Sequence, residues 1–427
     1  MKRFILLFSA FICFYSCSDL DAVKVNEPIV ISSPTPTEPI AKVLLNATQS
    51  SYVSAGNDMA FRLLGELFDD ENLICSPLSL QYAMAMLANG AEGETLEEIL
   101  DFLRYGDDGI DALNEYCRTL LEQLPAVDLD ITLKVTDALL VNDRYELLPA
   151  FKKTVEDNYY AAVDNMDFSD SRQIAARIND WARRSTNGFI DKVLNPSDIS
   201  VDAPAYIMNA LYFKAKWADN GFGPMFIEED TASESFLRSN GKSIKVDMMN
   251  NIGFHEYAEM DGFKVLVLPY ADGKFNMYVL LPDENDIEGL IGTLQTTAWS
   301  DVLGSLKQGA RVHVKLPKFE VENRIDLNDA LDNLGVECAF SPSKAAFCGM
   351  FKDEETNFSV SRIFQKSHIS VSEWGTEAGS VTVEWLLGDA GVKPVDEVYF
   401  YADHPFAFVI GEETSGTILF EGVVMEP

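Results

Sequence analysis

Apolar positions along the chain fall into two regimes, helical spacing in the first half and strand-like runs beyond residue 205. Between Asp58 and Phe68, Met59, Leu63, Leu64 and Leu67 recur at helical spacing. Ser76-Pro77 reads as a helix start, a Ser cap followed by Pro in the first turn. The stretch from Leu78 to Leu87 is almost wholly apolar, which predicts a helix buried on every side. Glu94 to Leu103 and Ile174 to Thr186 are amphipathic and predict two more helices. Then the character changes. Ala205 to Phe213, Lys264 to Leu268, Asn276 to Leu281 and Arg311 to Leu316 are rich in β-branched and aromatic residues and predict strands. A last helix from Asp326 to Leu334 ends at Gly335 in the C-terminal cap position. Helices first and strands later, with no βαβ alternation, predict an α+β fold with a mostly antiparallel sheet.

The first residues read as a targeting segment. Lys2 and Arg3 precede an apolar run, Phe4 to Tyr15, that is too short to span a bilayer. Ser16 then precedes Cys17. This resembles a bacterial lipobox, in which the signal is cut before a cysteine that carries the acyl chains, with Phe14 where Leu is usual. Ser18 and Asp19 are similar to the export signals of some surface-exposed Gram-negative lipoproteins. The resemblance implies a signal peptide over 1–16 and lipid attachment at Cys17. It also implies an outer membrane lipoprotein, surface-exposed or extracellular, held to the membrane by its lipid. A plain secretory peptide with an incidental cysteine is the alternative. Residues 17–48 form the lipidated N-terminus and a tether, where Pro28, Pro34, Pro36 and Pro39 favour extended, semi-rigid chain.

Composition narrows the function. The 427 residues, 47% hydrophobic, suffice for one large core or two modest ones. Lys and Arg number 33 against 68 Asp and Glu, a net charge of −35, which excludes a basic nucleic-acid groove. Such acidity suits a soluble, monomeric exported protein. Besides Cys13 and Cys17, the cysteines are Cys75, Cys117, Cys338 and Cys348, widely spaced and without a Cys-x-x-Cys pair. They predict buried apolar thiols rather than a zinc site. His255, His313, His368 and His404 stand near no nucleophile motif, so no catalytic triad is expected. The expectation is a protein that is not an enzyme, with no metal and no cofactor.

Seven short motifs then occur in a telling order. They are Asn72 to Ser79, Asn89 to Thr95, Ile178 to Trp181 with Thr186 to Gly188, Asn209 to Trp217, Leu316 to Phe319, Phe400 to Ile410, and Gly416 to Pro427. Over roughly residues 45 to 427 they resemble the serpin family, with Ala407 the visible departure in the C-terminal signature. In that family Ile178 to Gly188 is similar to the helix crossing the main sheet, and Asn209 to Trp217 and Leu316 to Phe319 are similar to strands of it. The resemblance implies a single serpin domain over 49–427, in the serpin fold, with a large mostly antiparallel central sheet, smaller sheets and an exposed reactive loop at about 373–398.

Glu373 to Thr382 resembles the hinge of the reactive loop in inhibitory serpins. The implied mechanism is suicide inhibition of a serine or cysteine protease, the partner held in a covalent complex. The protease acylates a bond in the loop, which then inserts as a new central strand and drags the enzyme along. A strand entering between packed neighbours needs small inward side chains. Alternation from Thr376 supplies Thr376, Ala378, Ser380 and Thr382 on one face, with Glu377 and Gly379 between them and Gly375 at the turn. About fifteen inserted residues at about 3.3 Å each would carry the acylated end about 50 Å. An arginine at 376 is expected to block insertion and leave the fold intact. The same alternation turns Glu384 inward, which would stop insertion short and favour cleavage as a substrate.

The resemblance also implies roles for remote residues. Glu373 and Lys318 match a pair where the sheet first opens, with Trp217 beside them. Ser76, Ser79 and Asn209 match a polar cluster beneath the sheet, and Gln365 stands where the family usually has histidine. Counting seventeen residues from Glu373, as the family does, sets the reactive bond at Asp389-Ala390. Leu387-Gly388 is the runner-up, and Lys393 a third choice because Pro394 follows it. The rival readings are a non-inhibitory serpin-fold binding protein and a protease substrate.

Overall fold

Asn46 opens the first helix, α1 (Ala47–Leu67), with a capping box: its side chain accepts from the Gln49 N–H, and the Gln49 side chain accepts from the Asn46 N–H. The period visible from Asp58 is therefore the second half of a longer helix, whose Ser-rich first half masks it. This is a computed structural model that describes residues 29, 34–105, 108–219, 224–352, 358–376 and 397–427.

After β1 (Leu73–Cys75) comes α2 (Pro77–Ala88), capped by the Ser76 hydroxyl and buried at every position but Ala83, as its unbroken apolar run predicts. The chain continues through α3 (Gly93–Leu103), α4 (Ile110–Val127), β2 (Thr132–Asn142), α5 (Pro149–Tyr159), β3 (Ala162–Met166) and α6 (Ser171–Ser185). Strands dominate thereafter: β4 (Ala205–Lys216), β5 (Ala232–Leu237), β6 (Ser243–Glu259), β7 (Phe263–Tyr270) and β8 (Phe275–Pro282). Two short helices, α7 (Ile287–Leu294) and α8 (Trp299–Ser305), precede β9 (Lys307–Pro317) and β10 (Phe319–Asp326). Then come α9 (Asn328–Asn333), β11 (Phe364–Ser372), β12 (Gly375–Thr376), β13 (Glu397–Tyr401), β14 (Phe406–Glu412) and β15 (Ile418–Val424).

The strands form two sheets. One has six strands in the order β10-β11-β12-β4-β2-β3; the other has nine, in the order β1-β15-β14-β8-β7-β6-β9-β13 with β5 on β6. Only β2–β3 and β9–β13 pair in parallel among the described residues. One expectation is corrected here. Leu316 to Phe319 is not one strand of the main sheet but the crossing between the two sheets. Pro317 ends β9, Phe319 starts β10, and Lys318 hands its N–H to the Asp247 carbonyl at 2.9 Å. Proline has no N–H to extend the ladder, which suits a strand end.

Both faces of the six-stranded sheet are covered. α6 lays Ile174, Ile178, Trp181 and Ala182 against Ala138 and Leu140 of β2 and Met208 of β4. The other face belongs to the main core with α2. The segment read as a tether meets this body: Ile40 N–H bonds Ala126 O at 2.8 Å, and Val43 N–H bonds Thr414 Oγ1 at 3.1 Å. Ile29 is buried among the α6 cluster, its carbonyl taking an Arg184 N–H at 2.8 Å. Cys75, Cys117 and Cys338 are free and buried as expected, but Cys348 is exposed, because its neighbours Phe347 and Met350 take the core positions of that turn.

Candidate functional site

The centre of interest is the seam between β4 and β11. Among the described residues these strands are joined only through β12, two residues long. Thr376 lies opposite Ala215 on one side and Val371 on the other, and Gly375 lies opposite Lys216 and Ser372. Gly375 has φ 125°, and a Cβ there would stand 2.2 Å from the Ala215 carbonyl oxygen. Only glycine fits that close approach. Thr376 is buried, and its hydroxyl meets the Tyr270 hydroxyl at 2.6 Å. Gly375 and Thr376, the first residues expected to form a hinge, are thus already seated as a strand. An arginine at 376 would have to displace this contact before any insertion, which corrects the expectation that it leaves the fold untouched.

Below Thr376 the seam is hollow. A small void of about 10 Å³ lies beside Thr376, Leu211 and Ile369. A larger cavity of about 140 Å³ follows, flanked by residues of β4 such as Ile207 and Asn209, and by Ile363 and Gln365 across from them. α2 contributes Ser76 and Ser79 from one side and α6 contributes Trp181 from the other.

At the upper end of the seam the structure brings Glu373, Lys318 and Trp217 together. Lys318 Nζ stands 3.1 Å from Glu373, whose side chain is almost fully buried while that of Lys318 is 37% exposed. Burial opposes ionisation of Glu373, but bonds from the Thr231 hydroxyl at 2.7 Å, from its own backbone and from Lys318 outweigh it and hold the carboxyl below the usual glutamate range. Trp217 donates its indole N–H to Ser372 O at 2.8 Å and stacks on Tyr270, 4.6 Å between centroids. Thr231 and Tyr270 were not foreseen. Both reach the site from strands or turns remote in sequence, and nothing local marks them.

The polar cluster divides in two. Gln365 binds the backbone of Ser76 twice, accepting from its N–H at 2.7 Å and donating to its carbonyl at 2.9 Å. The Ser76 hydroxyl caps α2 and donates to Leu419 O at 2.8 Å. On the other strand, Asn209 accepts from the Ser79 hydroxyl through Oδ1 and donates through Nδ2 to Asp137 at 2.7 Å. Asp137 is fully buried on β2, directly opposite Asn209. Burial pushes its carboxyl up to about 7, the Asn209 bond offsetting only part of the cost. Sequence reasoning missed it, although a lone carboxylate within Ile131 to Val141 was a visible signal.

The remaining predicted residues, Glu377, Ala378, Gly379, Ser380, Thr382, Glu384, Leu387, Gly388, Asp389, Ala390 and Lys393 of the loop, and Cys17, lie outside the described residues.

Comparison with known proteins points one way. The profile described as Serpin (serine protease inhibitor) matches residues 54–427. An uncharacterized serpin-like protein of Thermococcus kodakarensis is 34% identical over 388 residues, 90% of this chain and 88% of its own. Serine protease inhibitor 42Dd of Drosophila melanogaster is 30% identical, covering 86% of this chain and 94% of its own. Among solved structures, the thermophilic serpin Tengpin in its native state superposes with a TM-score of 0.80 at 30% identity, covering 92% of this chain and 97% of its own.

Proposed function

The chain belongs to the serpin family, whose members generally inhibit proteases, and from that premise we propose that it is a suicide inhibitor of serine or cysteine proteases working by loop insertion at the β4–β11 seam. The observation that carries this reading is Gly375-Thr376 seated between the two strands with a cavity continuing below. Extending the same register puts position 378 opposite Phe213 and Ile369, position 380 opposite Leu211 and Ser367, and position 382 opposite Asn209 and Gln365. Ala378, Ser380 and Thr382 are small enough for these inner-face seats, and Thr382 would bring a hydroxyl to the two amides. If each new ladder bond nets about 0.5–1.5 kcal/mol, an inserted strand gains about 10 kcal/mol or more, enough to deform a bound protease.

The reactive bond in this reading is Asp389-Ala390, with Leu387-Gly388 and Lys393 behind it. Export as a lipoprotein belongs to the same proposal. Cleavage before Cys17 and acylation there would set the inhibitor on the outer membrane surface, facing proteases outside the cell. Mass spectrometry of the mature protein finding Cys17 unmodified, or a different N-terminus, would remove that part.

One feature favours a second reading, a serpin that is cleaved without trapping. The extended register sets Glu384 opposite Ile207 and Ile363, both apolar, and the cations of the cavity wall, Arg362 and Lys366, are already paired with Asp198 and Asp326 and with Glu322. A single experiment separates the two. The protein is mixed with elastase-, subtilisin-, trypsin-, caspase- and papain-like proteases and run on a denaturing gel. A gel-stable covalent adduct identifies an inhibitor; clean nicking within 377–396 with no adduct identifies a substrate.

A further inference from the structure

The middle of the six-stranded sheet carries a polar row on its inner face: Asp137 on β2, Asn209 opposite it on β4, and Gln365 across the cavity on β11. Asn209 spends both ends of its amide here, Oδ1 on the Ser79 hydroxyl of α2 and Nδ2 on Asp137. Asp137 uses one carboxylate oxygen in this bond; Oδ2 is buried and has no hydrogen-bond partner among the described residues. The titratable groups that face it are Tyr82 from α2, Cys117 from α4 and Tyr159 from α5, each felt electrostatically and each neutral because burial raises it. No cation is among them. An ionised Asp137 is therefore held by one hydrogen bond alone, which is why burial lifts its carboxyl into the neutral range.

The two protonation states constrain Asn209 differently. A carboxylate only accepts, so Asn209 must turn Nδ2 toward it, and Oδ1 is then left to Ser79. A carboxylic acid can donate, so the amide can reverse, taking the acid proton on Oδ1 and turning Nδ2 to the Ser79 side, where either that hydroxyl or an entering strand can accept from it. α2 is tied to β4 through Ser79 and Asn209, and its cap Ser76 is tied to β11 through Gln365, so parting β4 from β11 has to strain one of these ties. We propose that Asp137 is a proton-operated latch on strand insertion: ionised, it fixes the Asn209 amide against Ser79 and slows entry; neutral, it lets the amide turn toward the entering strand. Asp137 is a positioning residue in this scheme, acting through Asn209. The inference rests on the insertion reading above and adds its regulation by pH.

The test uses the intact full-length chain and a synthetic peptide of residues 376–389 carrying Glu384→Gln, so that the peptide has no titrating carboxylate at the inward position. Incorporation is followed on native gels against pH. One unit of difference in the Asp137 proton affinity between closed and opening seam makes entry about tenfold faster at about pH 5.5 than at about pH 8.5. Asp137→Asn, which can always donate, should run at the acid-side rate throughout. Ser79→Ala removes the other tie and should speed entry on the alkaline side, which keeps the idea testable should the Asn variant fold poorly. A pH profile belonging to any other group would survive Asp137→Asn. That survival, or a rate independent of pH in the wild type, overturns the latch. No incorporation at any pH instead overturns the insertion reading itself.

Discussion

At the scale of single residues, the seam depends on close backbone contacts and on carboxyl groups whose burial or partners set their charge. Gly375 is the sharpest case, since an added Cβ meets the Ala215 carbonyl oxygen at 2.2 Å and Lys216 Cα at 2.7 Å, backbone on both counts. Gly375→Ala should therefore unseat β12 and lower the unfolding midpoint of the intact chain by an amount equivalent to about 1–3 kcal/mol, read by urea titration. Buried acids give a second residue-scale prediction. Asp137 is lifted to about 7, and Glu421, fully buried beside the Cys75 thiol, to about 8, both chiefly by burial. In the unfolded chain such groups titrate near about 4, so the folded chain holds protons the unfolded chain has released. Stability is then fully present below about pH 4 from these groups and falls as pH rises toward about 8. The urea midpoint should drop across that range, and Asp137→Asn combined with Glu421→Gln should flatten most of the drop. Glu373 works the opposite way, since its lowered carboxyl contributes stability that is lost only as pH falls through the acidic range below its usual value.

At the scale of elements, the helices and strands with a clean period were legible in the sequence. α2, α3, α6, β4, β7, β8 and β9 all stand where apolar spacing put them, and Ser76 caps α2 as its Ser-Pro signal required. The first half of α1 was hidden because Ser and Gly interrupt its period, and β6 because Asn250, Asn251 and Gly253 break the alternation of a seventeen-residue strand. The Glu373–Lys318 pair was readable, but not the Thr231 hydroxyl that completes it, because that contact is made by folding and leaves no local pattern. Asp137 stood in plain view within an apolar strand; what sequence could not supply was its register opposite Asn209. The entering strand is the element with most at stake. Glu384 would sit between Ile207 and Ile363 near the lower end of the seam, and burying its carboxylate unpaired costs several kcal/mol or takes up a proton. Glu384→Thr should therefore shift the outcome of each encounter toward the covalent adduct and away from nicked, released protein. Densitometry of the two bands measures this, and an unchanged ratio would mean that the carboxylate reaches solvent.

At the scale of the whole molecule, the described structure leaves one seam incomplete, which in the inhibitory reading proposed above means a fold short of its most stable form. The six-stranded sheet is held at its middle by two residues, with a cavity of about 140 Å³ below them, whereas packed protein interiors leave few voids larger than a water molecule. What fills that seam in the inhibitory reading is the segment following Thr376, and it is restrained because its far end runs on into β13, paired in parallel to β9 in the other sheet. Cutting the chain anywhere from Trp385 to Lys393 releases that restraint. A full strand can then pair with β4 on one edge and β11 on the other, gaining ladder bonds on both sides and burying the apolar walls of the cavity. Nicking an ordinary protein lowers its stability, so the sign of the change identifies the mechanism. Melting curves recorded before and after limited proteolysis, with the cut mapped by mass, should show a rise of tens of degrees. A cut within 385–393 that left the midpoint unchanged or lower would mean that the strand does not enter, and the family fold would then serve some purpose other than trapping a protease.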